Sequence, residues 1–225
     1  MLELSLAGFA NATSSVLCLG AHSDDIEIGA GGTILKILAN HKDIQVGWVV
    51  FTATGPREEE ALRSAERFLA GRPNAWVKVE SFRERYFPYL GREIKEYFDD
   101  LGKTQSPGLV LTHRKDDVHQ DHRTVAELTH NTFRDHLILE YEIPKYDGDL
   151  GRPNTYVHLS RAIVDQKIEG LLKGFPSQME RSWFTDETFR GLLRLRGIES
   201  NALDGYAEGF HARKLVLGTT RGSSA

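Results

Sequence analysis

Short β-branched apolar runs alternate with longer amphipathic stretches through the first two-thirds of the chain, a rhythm that predicts βαβ units around a parallel sheet. The apolar runs predict strands over residues 15–19, 44–52, 75–81, 108–112 and 137–141. Helical spacing predicts helices over 31–39, 56–70, 91–101 and 121–133, with Pro56 near a first turn, where its missing N–H costs nothing. The fold class expected is therefore α/β: a Rossmann-like, mostly parallel sheet with helices on both faces. In such sheets ligands collect beyond the carboxyl ends of the strands, so the residues just after Leu19, Thr52 and Leu111 should share one crevice.

After Pro144 the pattern changes. Residues 145–154 are polar and rich in Gly, Asp and Pro, which reads as a loop, and 155–159 reads as an extra strand. Ser160 is placed to cap a helix through about residue 172, and Thr185 another through 196. This predicts a single domain over 1–225: a core over 1–143, a smaller C-terminal α/β extension over 144–218 that shapes the substrate pocket, and a polar tail over 219–225.

Composition narrows the class. With 40% apolar and 27% charged residues the chain has the makings of an ordinary globular core, which excludes a disordered or fibrous protein. A formal charge of -4, with no stripe of Lys and Arg, argues against nucleic acid as a partner. The one cysteine, Cys18, stands inside an apolar run, so it reads as a packing residue with no internal disulfide. Glu3 stands where a signal peptide would carry positive charge, and no apolar stretch reaches bilayer-spanning length. The expectation is a cytoplasmic protein with no integral membrane segment, its self-association left open.

Two clusters carry chemistry. Ala21-His22-Ser23-Asp24-Asp25-Ile26-Glu27 follows the first predicted strand, which puts one imidazole and two adjacent carboxylates at a strand's carboxyl end. His119-Gln120-Asp121-His122 follows the fourth strand, where the next helix should begin. Alone, the first also reads as a solvated acidic turn, and the second as Asp121 capping a helix flanked by surface histidines. Together they gather His and Asp side chains at the ends of strands expected to be neighbours. Two imidazoles and a carboxylate match a catalytic zinc site with three protein ligands and an open fourth position, and the same donors can hold iron(II).

Gly29-Ala30-Gly31-Gly32 fails as a dinucleotide fingerprint, because Ile34 stands where the third glycine is required and the turn is already acidic. The glycines are expected to let the backbone turn sharply and to bring the helix close to the sheet. Thr54 and Arg57, after the second strand, read equally as substrate contacts or as a loop and helix start. Arg63 and Glu66 are spaced for a surface salt bridge or a clamp behind the site, and His113 reads as the end of its strand. His41, His130, His136, His158 and His211 have no partner at ligand spacing.

With both motifs in view, the chain resembles the PIG-L/LmbE-like de-N-acetylases, whose members carry A-H-P-D-D early and H-x-D-H later. Here these read Ala21-His22-Ser23-Asp24-Asp25 and His119-Gln120-Asp121-His122. Gly31-Gly32-Thr33, Thr54-Gly55, Arg63 with Glu66, and Tyr206-Ala207-Glu208-Gly209-Phe210 extend the likeness over most of the chain. Ser23 replaces the usual proline, and Ile26 stands where many members have Glu, with Glu27 next.

The resemblance implies His22, Asp25 and His122 as zinc ligands and Asp24 as general base. It also implies a protonated His119 as oxyanion stabiliser and Asp121 as the group that orients a neighbouring imidazole. The activity implied is hydrolytic removal of the acetyl group from an N-acetyl amino sugar or a conjugate of one. The same residues would serve an amidase or esterase acting on a non-sugar, and a non-catalytic carbohydrate-binding protein would have no need of Asp24.

Overall fold

The computed structural model describes residues 15–216, so the polar tail expected over 219–225 lies outside the described residues. The elements run β1 (Ser15–Gly20), α1 (Asp25–Asn40), β2 (Gln45–Val50), α2 (Pro56–Leu69), β3 (Ala75–Val79), α3 (Gly91–Thr104) and β4 (Leu109–His113). They continue with α4 (Gln120–Thr132), β5 (Leu137–Tyr141), β6 (Thr155–Leu159), α5 (Arg161–Gly174), α6 (Asp186–Glu199) and β7 (Tyr206–Ala212). All seven strands form one sheet in the order β3-β2-β1-β4-β5-β7-β6. The first five are parallel, and β7 runs antiparallel to both β5 and β6.

Alternation along the strands builds two cores. Val16 and Cys18 of β1, with Trp48 of β2 and Leu111 of β4, face a core closed by α1, α2, α5 and α6. Leu17 and Leu19, with Val49 and Val110, face the opposite core closed by α3 and α4. Strands buried on both faces read as continuous apolar runs, which is why the parallel ones were legible. Cys18 is fully buried in the first core, where burial and then the charge of Glu27 push its thiol pKa up.

Both C-terminal helices begin where expected. Ser160 accepts a hydrogen bond from the Ile163 N–H and Thr185 one from the Thr188 N–H, satisfying donors that a helix start leaves free. The third strand stops at Val79, short of the expected end at residue 81, and Ser81 makes only an isolated bridge to Thr52.

The first helix departs from the sequence reading. It begins at Asp25, six residues before the expected start at Gly31, so Gly29, Gly31 and Gly32 lie inside it. None of these three has a positive φ, so they make no turn. They act by letting neighbours approach: a Cβ on Gly29 would stand 2.2 Å from the Tyr141 ring, and one on Gly31 2.7 Å from Phe68. The acidic motif is thus the helix's own first turn, where carboxylates face the positive end of the helix dipole.

Candidate active site

The carboxyl ends of β1 and β4 are adjacent because these strands pair directly, through Val16 with Leu109 and Cys18 with Leu111. Here the strand order reverses, the place at which open α/β sheets bind their ligands. His22, Asp24 and Asp25 arrive on the β1 side, and His113, Asp117, His119, Asp121 and His122 on the β4 side.

Three donor atoms converge. His22 Nδ1 lies 3.0 Å from His122 Nε2 and 3.3 Å from Asp25 Oδ2, and His122 Nε2 lies 3.5 Å from the same oxygen. A tetrahedral ion bound at 2.0–2.1 Å has ligand–ligand edges of about 3.3 Å, so this triangle matches one face of such a site. The outer hydrogen bonds agree. His122 Nδ1 faces Asp117 Oδ2 at 3.0 Å, and His22 Nε2 faces Asp121 Oδ2 at 3.3 Å. Each carboxylate accepts from the outward N–H and turns the other nitrogen's lone pair inward, as ligating histidines require. The described residues therefore hold a His/Asp cluster chemically suited to a metal ion.

The electrostatics point the same way. Burial works against a charged His22, yet Asp25 and Asp121 outweigh it and push its pKa up to about 10. The pocket favours a cation at that position. Burial alone would raise the Asp25 carboxyl, but the imidazoles of His122, His113 and His22 hold it well below the usual carboxylate range. Asp24 goes the other way: burial, then repulsion from Asp25, carry its pKa up to about 6, against the pull of Arg57 and His22.

Asp24 sits at the start of α1, beside the triangle, and Arg57 NH2 lies 3.5 Å from its Oδ1. The same guanidinium forks onto the Ser23 hydroxyl, at 3.1 Å from Nε and 2.9 Å from NH2, so the serine anchors Arg57 across the turn. Thr54 is exposed and makes no side-chain hydrogen bond to the cluster among the described residues. Arg63 and Glu66 form no ion pair; both are exposed, and Arg63 Nε donates to the Glu59 carbonyl, which removes them from the site.

The second motif supplies its own helix cap. His119, not Asp121, starts α4, its Nδ1 accepting the Asp121 N–H at 3.3 Å. That leaves Nε2 as the donor of a neutral ring, and burial, then the charge of His22, lower the His119 pKa. Asp121 is fully buried and links His22 to the loop after β3, accepting from the backbone N–H of Arg85 at 2.6 Å and of Phe87 at 3.2 Å. Arg85 adopts a left-handed φ of 68° to make this contact, a strained backbone held by the site around it.

Two residues here, His113 and Asp117, were not singled out for the site from sequence, and a third, Lys145, only as part of the 145–154 loop expected to read the substrate. His113 is fully buried, stacked on His122 at 3.9 Å between ring centroids, with Nε2 3.2 Å from Asp25 Oδ2. Asp117 orients His122, and Lys145 Nζ pairs with Asp117 at 3.1 Å, tying the 145–154 loop to the centre. The signal for His113 was its place at a strand's carboxyl end, and Lys145 opens the polar loop expected beside the pocket.

Residues 17–133 match the family described as PIG-L, GlcNAc-PI de-N-acetylase, and the chain belongs to that family. It is accordingly a hydrolase acting on an amide, an N-deacetylase. It is 28% identical over 157 residues to the uncharacterized deacetylase YaiS of Escherichia coli K12, which covers 64% of this chain and 82% of that protein. The solved N,N'-diacetylchitobiose deacetylase of Pyrococcus horikoshii superposes with a TM-score of 0.66 at 18% identity, over 92% of this chain and 86% of that one. The 4-carboxy-2-hydroxymuconate hydratase GalB of Pseudomonas putida KT2440 superposes at 0.72, also with 18% identity, over 93% of this chain and 100% of that one. At such identities the likeness is one of fold, and that fold hosts more than one reaction. No helix among the described residues is long and apolar enough to cross a membrane.

Proposed function

We propose that this enzyme removes the acetyl group from an N-acetylated amino sugar or sugar conjugate, with His22, Asp25 and His122 holding a zinc ion and Asp24 acting as base. The observation that carries this reading is the triangle of donor atoms 3.0–3.5 Å apart, with a second carboxylate beside it. Iron(II) suits the same donors.

A zinc ion held by His22, Asp25 and His122 would polarise the amide carbonyl and lower the pKa of a water toward neutrality. Asp24, its pKa near 6, takes the proton of that water as the oxygen attacks the carbonyl carbon. The same carboxyl then gives the proton to the amide nitrogen, so that the C–N bond breaks to leave acetate and a free amine. His119 Nε2–H donates to the oxygen on which negative charge develops, a role a neutral imidazole fills as well as a protonated one. Arg57, braced by Ser23, holds Asp24 toward the reacting centre.

The sugar reading draws on the diacetylchitobiose deacetylase with the same fold. Thr54, Arg57 and the 145–154 loop are the groups we assign to reading its hydroxyls. Glycoside cleavage is disfavoured because it needs two free carboxylates about an anomeric carbon, and Asp25 is committed to the metal. The test is mass spectrometry of a panel of N-acetyl sugars and conjugates after incubation with the zinc-loaded enzyme. The expected product has lost one acetyl group with every glycosidic linkage intact. Turnover of non-sugar amides or esters alone would keep the hydrolase chemistry and overturn the sugar assignment.

A further inference from the structure

Lys167 and Glu208 are only 2% and 3% exposed, and neither belongs to the site described above. Lys167 Nζ, on α5, donates to Glu208 Oε1 at 2.6 Å and to the Ile28 carbonyl at 2.6 Å. Glu208, on β7, accepts the backbone N–H groups of Gly32 and Thr33, each at 2.7 Å. In an α-helix the Ile28 carbonyl and the Gly32 N–H are each other's ladder partners. The ion pair therefore brackets one step in the middle of α1, its cation on the carbonyl side and its anion on the N–H side. Gly32 makes the approach feasible, since a Cβ there would stand 2.9 Å from Glu208 Oε1.

The bracketed step continues directly into the site. The Ile28 N–H donates to the Asp24 carbonyl at 3.0 Å, so the residue held by Lys167 also holds the turn that carries Asp24 and Asp25. A buried ion pair is a weak source of net stability, since well-packed apolar residues do as well or better. What it supplies here is a fixed position for one helix, set by charged hydrogen bonds whose geometry is directional.

We propose that Lys167 and Glu208 are positioning residues for the metal centre: bracketing the Ile28–Gly32 step, they set the placement of the first turn of α1, and so of Asp25 and Asp24. The inference rests on the assignment of Asp25 as a metal ligand. It gives the C-terminal third a part in the centre itself as well as in the pocket.

Single removals, Lys167→Met or Glu208→Gln, leave a buried charge unpaired and should lower the melting temperature whatever the pair does for the site. The double variant Lys167→Met/Glu208→Gln removes both charges and should recover much of that loss. Two readouts then decide. Amide hydrogen exchange of the metal-free protein should show lost protection in the peptide over 20–31, and zinc titration against a chromophoric chelator should show binding weakened roughly 10- to 100-fold. Wild-type protection and wild-type zinc affinity in the folded double variant would overturn the proposal. Glu208→Asp, which keeps the charge but withdraws the carboxylate from α1, should shift both readouts the same way and serves if the double variant does not fold. If the wild-type chain takes up no zinc, the metal assignment falls, and the exchange of the 20–31 peptide alone decides the bracket.

Discussion

Asp24 and Asp25 are neighbours in sequence with opposite electrostatic surroundings. Asp25 receives the imidazoles of His22, His113 and His122 on one oxygen and stays ionised; for Asp24, burial and then repulsion from Asp25 outweigh the pull of Arg57 and His22 and lift its pKa to about 6. A pair of carboxylates whose surroundings push their pKa values apart is suited to two roles, the ligand and base proposed above. Asp24→Asn should keep the metal and lose turnover by about 10²- to 10⁴-fold, because the amide cannot accept the water's proton. Near-normal turnover in the metal-loaded variant would remove Asp24 from its role. His119→Ala should also retain metal, with kcat down on the order of 10²- to 10³-fold if the ring is a main oxyanion donor; an unchanged kcat would assign the donor elsewhere.

At the scale of the element, α1 is the working part, and its close seating on the sheet depends on Gly29. The Tyr141 ring that Gly29 meets is fully buried and held by a hydrogen bond from its hydroxyl to the Leu19 carbonyl at 2.7 Å, so it cannot retreat freely. Gly29→Ala should cost about 1–3 kcal/mol by overpacking, read as a lower urea midpoint; a midpoint at or above wild type would mean that the seam is looser than drawn. This helix also marks where sequence reasoning stopped. The parallel strands and the later helices were legible from apolar spacing and caps, whereas the start of α1 was hidden by residues that helices seldom choose. Aspartates and glycines weaken the helical signal, and the glycines are explained only by contacts with Tyr141, Phe68 and Glu208. Strand β7 was missed likewise: Glu208 and Gly209 interrupt its apolar pattern, the first because it pairs with buried Lys167 and the second because a Cβ there would stand 2.8 Å from Pro153. In the site, the two motifs brought together the residues they contain. His113 and Lys145 act through contacts across the fold, which local spacing does not record, whereas Asp117 meets His122 nearby in the chain but lies outside both motifs.

Across the whole molecule, polar residues join its layers far from the crevice. Glu140 on β5 is fully buried, accepts from Arg213 NH2 at 3.0 Å beyond β7 and faces His130 Nε2 on α4 at 2.6 Å. Burial would raise its pKa, but His130 and Arg213 outweigh it and hold the carboxyl below its ordinary 4.5. A lowered carboxylate pKa contributes stability that is fully present above the unfolded value and is lost as pH falls through the folded one. The stability advantage of wild type over Glu140→Gln, measured by urea denaturation, should therefore hold steady down to about pH 4.5 and shrink as the pH falls below it. A difference that stays constant below that pH would show that the carboxylate's charge is not what joins α4, β5 and the segment after β7.

The proposed chemistry rests on the donor triangle at the head of β1 and β4. Its most direct test is elemental analysis of the purified protein beside the His22→Ala, Asp25→Ala and His122→Ala variants. The expected result is about one zinc or iron ion per wild-type chain, with metal content falling sharply in each variant. Full metal retention in all three variants would contradict it.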